Sequence, residues 1–430
     1  MPRPLPCCPP DAAHRRAALP ARAVAASVLA ALAACGVAAS DASKASKAAE
    51  APAGGTVAAP DSARPATAPT AGSGGDSAAL ALQRAAVPAV RALYVNRFAA
   101  QSSARMRHLV GLADSTEINA LVVDMKDEFG LNYQSENPAF AANAGSMNKV
   151  RNVRALVDTM RAHGILPIAR IVVFKDSVTA RVHPEWTIRR PDGSVWRDHK
   201  GLAWVDPHHR ALWDYNIGVA EELVRLGFGE IQFDYIRFPE PYASLPRQVF
   251  PADRGQKKPD AIAEFLRTAN ARLDKLDVRT TADVFGLTTT VNGPLEVAQS
   301  WEKLAPVTDV LLPMVYPSHY PRGSLGVARP NAEPYRVVNI AISRARERNE
   351  ALGVRGEAVR PYLQAFSLGQ PNYGAEELRQ QKQAVYDAGY DGWVLWHPGS
   401  KFEPFEAALE RGPLVSRRKA QPTAAPARIE

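Results

Sequence analysis

Aromatic residues are absent before Tyr94 and after Phe405; all 7 Trp, 12 Tyr and 13 Phe lie between those two positions. The opening stretch is dominated instead by Ala, Ser, Pro and Gly. Such a segment buries too little apolar surface to offset the entropy of ordering it. The fold must therefore be built from the part that holds the aromatics. Cysteine is scarce too: Cys7, Cys8 and Cys35 are the only three, and none falls in that part. This excludes a disulfide scaffold, a thiol nucleophile and a cysteine-based zinc site for the folded domain. Collagen, coiled-coil and polytopic membrane classes are excluded by composition and by the lack of long apolar runs. The balance of 52 Lys+Arg against 44 Asp+Glu gives +8 over 430 residues, with no clustered basic helix. Nucleic acid is not an expected partner.

The aromatic-free start has a layout of its own. Arg3, Arg15, Arg16 and Arg22 precede a short run of small and apolar residues, Ala23 to Ala34. That is the pattern of a secretory signal peptide, too short for a permanent bilayer span. It ends in Leu32-Ala-Ala-Cys35-Gly36, which resembles the lipobox of bacterial lipoproteins. The resemblance implies cleavage before Cys35, diacylation of its thiol, and stable anchoring by two acyl chains. Ordinary A-x-A cleavage with an incidental cysteine is the alternative. The expected organisation is a signal peptide over 1–34, a flexible linker over 35–88, a folded domain over 89–411 and a disordered basic tail over 412–430. The expected location is the cell envelope, lipid-anchored, in the periplasm or at the outer membrane.

From Arg91 onward, apolar runs alternate with amphipathic ones. Strands are predicted over 92–98, 120–125, 166–174, 230–236, 279–285, 307–316, 360–366 and 392–397. Helices are predicted over 103–112, 148–163, 208–226, 260–276, 294–304, 334–352, 375–388 and 404–409. Strict alternation argues for parallel strands, and eight units is the number that closes a barrel. A doubly wound open sheet would want a Gly-rich phosphate turn after the first strand, and Asn96-Arg97-Phe98 is not one. The expected fold is a single α/β domain, a (β/α)8 TIM barrel, whose chemistry sits at the carboxyl ends of the strands.

Side chains alternate along a strand. In Ile231-Gln-Phe-Asp-Tyr235 the apolar set suits the helix-covered face, so Gln232 and Asp234 point into the lumen. The same reasoning on the fifth predicted strand turns Thr281 and Asp283 inward. Two carboxyl groups on neighbouring strands fit the roughly 5 Å spacing of a retaining glycosidase pair, one held ionised and one pushed to a higher pKa. The alternative is a structural one, in which both carboxylates pair with Arg170 or Arg237. Asp124 and Asp127, at the end of the second strand, suit holding sugar hydroxyls, supplying a second carboxylate, or binding a divalent cation; an ordinary charged loop is the plain alternative. Arg170, embedded in an apolar strand, is read as electrostatic support for Asp124 or Asp234.

The connection from Lys175 to Pro207 is long and carries Trp186, Trp196 and Trp204, with a turn predicted at Pro191-Asp192-Gly193. The indoles suit either a saccharide groove or a mini-core that folds the loop on itself. Tyr316 and Trp396 are placed to floor the site. No HExxH, HxH, G-x-S-x-G or P-loop motif is present, which leaves carboxylates as the available catalysts. His208-His209 reads as a helix start. No metal and no cofactor are expected.

Five stretches carry a family resemblance: Ala120-Leu-Val-Val-Asp-Met-Lys-Asp127, Ile168-Ala-Arg-Ile-Val-Val-Phe-Lys-Asp176, Asp192-Gly-Ser-Val-Trp-Arg-Asp198, Ala203-Trp-Val-Asp-Pro207 and Ile231-Gln-Phe-Asp-Tyr-Ile-Arg-Phe-Pro239. Together they resemble a bacterial family of TIM-barrel domains assigned as glycosyl hydrolases and formerly labelled a domain of unknown function. The resemblance spans about Ala92 to Phe405 and implies a barrel glycosidase. It implies a nucleophile at Asp234 and an acid on the next strand, which Asp283 matches, with Asp in place of the more frequent Glu. The expected activity is hydrolysis of an extracellular or envelope polysaccharide by a membrane-anchored enzyme, with a retaining mechanism favoured. Catalysis falls to Asp234 and Asp283, and substrate binding to Asp124, Asp127, Arg170, Arg237, Trp204, Tyr316 and Trp396. A monomer is expected. The alternatives are a non-catalytic carbohydrate-binding barrel and a metal-assisted hydrolase using Asp124 and Asp127.

Overall fold

A computed structural model of the chain describes residues 89–145, 150–354 and 356–419. The signal-peptide and linker assignments, with Cys35, lie outside the described residues. Eight parallel strands close on themselves: β1 (Arg91–Val95), β2 (Ala120–Asp127), β4 (Leu166–Val172), β5 (Glu230–Asp234), β6 (Arg279–Phe285), β7 (Val310–Val315), β8 (Tyr362–Gln364) and β9 (Trp393–Trp396). β1 bonds to β2 on one side and to β9 on the other, so no edge is left open. The short β3 (Gly130–Leu131) folds back antiparallel on β2 outside the barrel. The protein is a TIM barrel.

The period-2 pattern sorts each strand's side chains into two cores. Leu93, Val95, Leu121, Val123, Ile171, Ile231, Phe233, Ala282, Val284 and Leu395 face the helices. Ala92, Tyr94, Ala120, Val122, Ile168, Leu312, Tyr362 and Val394 face the lumen. The lumen is apolar mainly on the β1, β2, β7 and β9 side. Elsewhere it holds a buried polar column, starting with the Glu230–Arg360 ion pair at 2.6 Å near the barrel's base.

The surrounding helices are α1 (Arg97–Gln101), α2 (Ser103–Ser115), α3 (Pro138–Ala141), α4 (Val153–Ala162), α5 (Thr179–Val182), α6 (Arg210–Arg225), α7 (Lys258–Leu273), α8 (Trp301–Leu304), α9 (Pro334–Ala351) and α10 (Ala375–Asp387). Their sequences explain their limits. The Asn152 side chain caps α4 by accepting from Ala155 N at 2.9 Å, and Val153, Val157 and Met160 form its buried stripe. After α6, Gly227 takes φ +106°, a turn a Cβ would strain, and one there would press Val157.

Several predicted elements are shorter in the fold. The helix expected over 294–304 is only α8, because Gln299 ties its first half to β6: its side chain accepts from Phe285 N at 2.9 Å and donates to the Asp283 carbonyl at 3.2 Å. The one expected over 404–409 is a single 3-10 stretch, Glu403–Ala408. α4 begins at Val153 rather than 148, and residues 146–149 are outside the described set. The tail expected to be disordered from 412 is held at the barrel's base as far as Lys419. There Asp391 accepts from Ser416 Oγ and from the backbone N–H groups of Arg417 and Arg418 at 2.5–2.9 Å, and Lys419 N–H donates to the Tyr386 carbonyl. Among the described residues no helix is long and apolar enough to cross a membrane.

Candidate active site

Alternation along β5 and β6 places Asp234 and Asp283 inside the barrel, as their sequences predict. They sit at or near the carboxyl ends of adjacent strands, since Phe233 pairs with Ala282. Arg170 on β4 draws the cluster together. Its Nη1 donates to Asp124 Oδ1 at 2.5 Å, its Nε to Asp234 Oδ2 at 3.1 Å, and its Nη2 also to Asp234. The same Nε lies 3.7 Å from Asp283 Oδ2. Three carboxyl groups from β2, β5 and β6 therefore meet around one guanidinium.

Two local irregularities aim these groups. β2 bulges between Asp124 and Lys126, so that Asp124 pairs with Arg170 while Lys126 pairs with Ile171. Lys126 then reaches Asp176 at 2.7 Å, anchoring the next loop. Immediately after Asp234, Tyr235 holds φ +52°, a conformation costly for a non-glycine residue and typical of functional sites. Its backbone N–H donates to Asp234 Oδ1 at 2.5 Å.

The carboxyls differ in environment. Asp283 is 1% exposed. Its Oδ2 accepts from Gln232 Nε2 at 3.0 Å, while Oδ1 has no hydrogen-bond partner. Burial and the neighbouring Asp234 push the Asp283 pKa well above the usual carboxylate range; Arg170 offsets this only in part. A neutral Asp283 turns the orphaned Oδ1 into a donor, and Asp234 is the adjacent acceptor. Asp124 accepts from the Tyr94 hydroxyl as well as from Arg170, and its pKa is raised by burial against the opposing pull of Arg170. Burial and Asp124 hold the Tyr94 phenol protonated. Tyr362 donates nothing to the acids directly, but its hydroxyl accepts from Gln232 Nε2 at 2.6 Å and so fixes the amide that serves Asp283. Tyr94 and Tyr362 were not foreseen as site residues; the alternation along β1 and β8 is the signal that would have placed them inward.

Beside the acids lies an aromatic wall. Tyr316 stacks on Trp396 with centroids 5.6 Å apart, Tyr94 is 6.1 Å from Trp396, and Phe366 meets both Tyr316 and Trp396 edge-on. The two predicted floor residues are thus brought together, with Trp396 against Tyr94, the residue that bonds Asp124. His319 packs against Tyr316 and Phe366, and burial lowers its pKa to about 4, leaving a neutral imidazole.

Three residues assigned to substrate binding are not brought to this cluster. Asp127 is clamped at the rim: Arg97 grips both of its oxygens, and Phe129 N and Asn132 Nδ2 donate to it at 2.8 and 3.3 Å. Arg237 pairs with Glu240 at 3.1 Å and lies 4.8–5.0 Å from the ring centres of Trp204, Tyr235 and Phe285. Trp204 is buried, with its indole N–H on Asp198 Oδ2 at 3.0 Å. Trp196 is buried as well and donates to the Pro246 carbonyl at 2.8 Å. Of the two readings of the long connection, the mini-core is therefore the one that holds for both. Its turn forms at Pro191-Asp192-Gly193, with Arg190 N bonded to the Ser194 carbonyl at 2.8 Å. Among the described residues no three His, Cys, Asp or Glu side chains are arranged to hold a metal ion.

A family model described as "Putative glycosyl hydrolase domain" matches residues 92–402. The chain belongs to that glycosyl hydrolase domain family. Among solved structures, the PgaB (BpsB) glycoside hydrolase domain from Bordetella bronchiseptica superposes with a TM-score of 0.53 at 14% identity, over 75% of this chain and 99% of that one. A hypothetical protein from Ruminiclostridium thermocellum is 39% identical over 45% of this chain and 97% of its own, with a TM-score of 0.41. The spore cortex-lytic enzyme SleL from Bacillus megaterium matches at 10% identity, over 74% of this chain and 72% of that one, with a TM-score of 0.46. No curated protein matches the chain in sequence.

Asp283 links the site to stability. Its folded pKa lies above its unfolded one, so its contribution is complete below the ordinary carboxyl pKa and is lost as pH rises through the folded value. Asn at this position keeps the neutral shape without that loss. Urea denaturation of Asp283→Asn should show a stability advantage over the parent that grows from pH 5 to pH 8. A constant difference across that range would contradict a neutral Asp283.

Proposed function

We propose that this protein is a glycoside hydrolase acting on a polysaccharide through Asp234 and Asp283 by a retaining mechanism. The observation that carries the proposal is the convergence of two carboxyls with opposite environments on one guanidinium at the active end of the barrel. Asp234, paired with Arg170, is the nucleophile at the anomeric carbon. Asp283, kept protonated by burial, supplies the proton to the leaving oxygen. Both lie within 3.7 Å of Arg170 Nε, which suits the short retaining spacing of roughly 5 Å better than the wider inverting one. Tyr316 and Trp396 provide the apolar face against which a sugar ring packs. Asp283 is closed off in the free protein, so delivering its proton requires a small rearrangement on binding, as is common for catalytic hydrogen bonds in free enzymes.

The protein is further proposed to be exported and anchored to the cell envelope through acylated Cys35, with residues 36–88 as a spacer from the membrane. The run of Leu32 to Gly36 supports that reading.

Engagement of all three carboxyls by Arg170, Tyr94 and Gln232 favours a second reading, in which the barrel binds carbohydrate without turning it over. Activity separates the two. Asp234→Asn should lower turnover at least about 10³-fold on polymers and on aryl glycosides alike. Asp283→Asn should abolish release of reducing ends from polymers, yet still give a burst of about one phenol per enzyme from substrates with an activated phenol leaving group, whose departure needs no proton. Slow turnover should follow the burst, because water attack on the glycosyl-Asp234 intermediate lacks its base. Full activity in Asp234→Asn would overturn the assignment. For the anchor, Cys35→Ser should move the protein from the membrane fraction to the soluble one; unchanged fractionation and unchanged fatty-acid labelling would refute it.

A further inference from the structure

The rim of the barrel is asymmetric. Above β4 and β5, the long connections fold into their own buried core around Trp196 and Trp204 and wall off that side. Above β8, β9, β1 and β2, which are consecutive around the barrel, exposed apolar side chains follow three of the four strands. Leu368 follows β8, Phe98 follows β1 and Phe129 follows β2; they are 38%, 51% and 41% exposed. Only three other large apolar residues among the described ones are as exposed, so half of the set lies on this arc. The half-buried Trp396 at the end of β9 completes it.

These rings are held on rigid backbone. The Asn96 side chain accepts from Phe98 N and Ala99 N at 3.0 and 2.8 Å and donates to the Pro398 carbonyl at 2.8 Å. Asn96 N donates to Ser400 Oγ at 2.9 Å, which locks the β1 loop to the β9 loop. Phe129 sits in the β2–β3 turn, whose N–H donates to Asp127, and the buried Arg97 guanidinium lies 5.8 Å from the Phe129 ring centre. Exposed aromatics on fixed loops are already ordered, so a ligand that covers them loses little additional entropy.

We infer that Phe98 and Phe129 are stacking platforms for sugar units remote from the scissile bond, so that a polymer chain leaves the carboxylates across the β9–β1–β2 rim. The occupant is a polysaccharide because the arc includes Trp396, which packs on Tyr316 and Tyr94 beside the carboxylates. Pyranose rings present apolar faces to aromatics and hydroxyls to neighbouring polar groups. The inference rests on the glycoside hydrolase reading and adds to it an extended, internally cleaving binding mode.

The test is affinity electrophoresis of the protein lacking residues 1–34, in gels containing glycol chitin, solubilised peptidoglycan, dextran, hyaluronan or carboxymethylcellulose, run alongside Asp234→Asn and the double variant Phe98→Ala/Phe129→Ala. Both rings are exposed, and the variant's fold is checked by circular dichroism. The expected result is retardation of the parent and of Asp234→Asn by at least one polymer, with apparent affinity about tenfold or more weaker in the double variant. Turnover of a short aryl glycoside should be unchanged in the double variant, which separates failure of the platform from failure of the carboxylate assignment. Equal retardation of the parent and the double variant, or no retardation of the parent by any polymer, would overturn the inference.

Discussion

The arrangement of the lumen depends on one buried cation. Arg170 enters an otherwise apolar strand and brings its charge to the top of the barrel, where only carboxylates can neutralise it. Its planar guanidinium presents several donors in fixed directions, so Asp124 and Asp234 are held on different edges of one group, with Asp283 beside its Nε. A buried ion pair of this kind contributes little net stability, and removing one partner is expensive. Its value lies in geometry: three acids that would repel one another in a low-dielectric space are kept together.

Distance from the guanidinium then separates their environments. Asp234 shares the charge directly. Asp283 sits one contact further away, is served by a neutral amide, and is pushed toward the protonated form by burial and by Asp234. A carboxyl pushed toward its protonated form is what the proposed role of Asp283 as proton donor requires. The column below, through the Gln232–Tyr362 hydrogen bond and down to the Glu230–Arg360 pair, holds the amide that serves Asp283 in place.

Much of this was legible in the sequence because barrel geometry converts strand alternation into inside and outside. Asp234, Asp283, Arg170, Tyr316 and Trp396 all lie where their parity places them. Residues in loops were less legible. Trp204, late in the connection after β4, and Arg237, just past β5, read as mouth residues, yet the long connection needs its own core, and they are consumed in building it. Asp127 reads like Asp124 three residues on, but the β2 bulge and the Arg97 clamp separate them. Tyr94 and Tyr362 went unnoticed because a tyrosine in an apolar strand looks like packing until a partner for its hydroxyl is known.

The central proposal is that Asp283 is held protonated beside Asp234 at the carboxyl end of the barrel. Carbon-13 NMR of the protein labelled at the aspartate carboxyl carbon, titrated through neutral pH and compared with Asp283→Asn, reads this directly. The account predicts one aspartate signal at the protonated position at pH 7, shifting only at higher pH and absent from the variant. A parent spectrum in which every aspartate carboxyl is already ionised at pH 7 would contradict it.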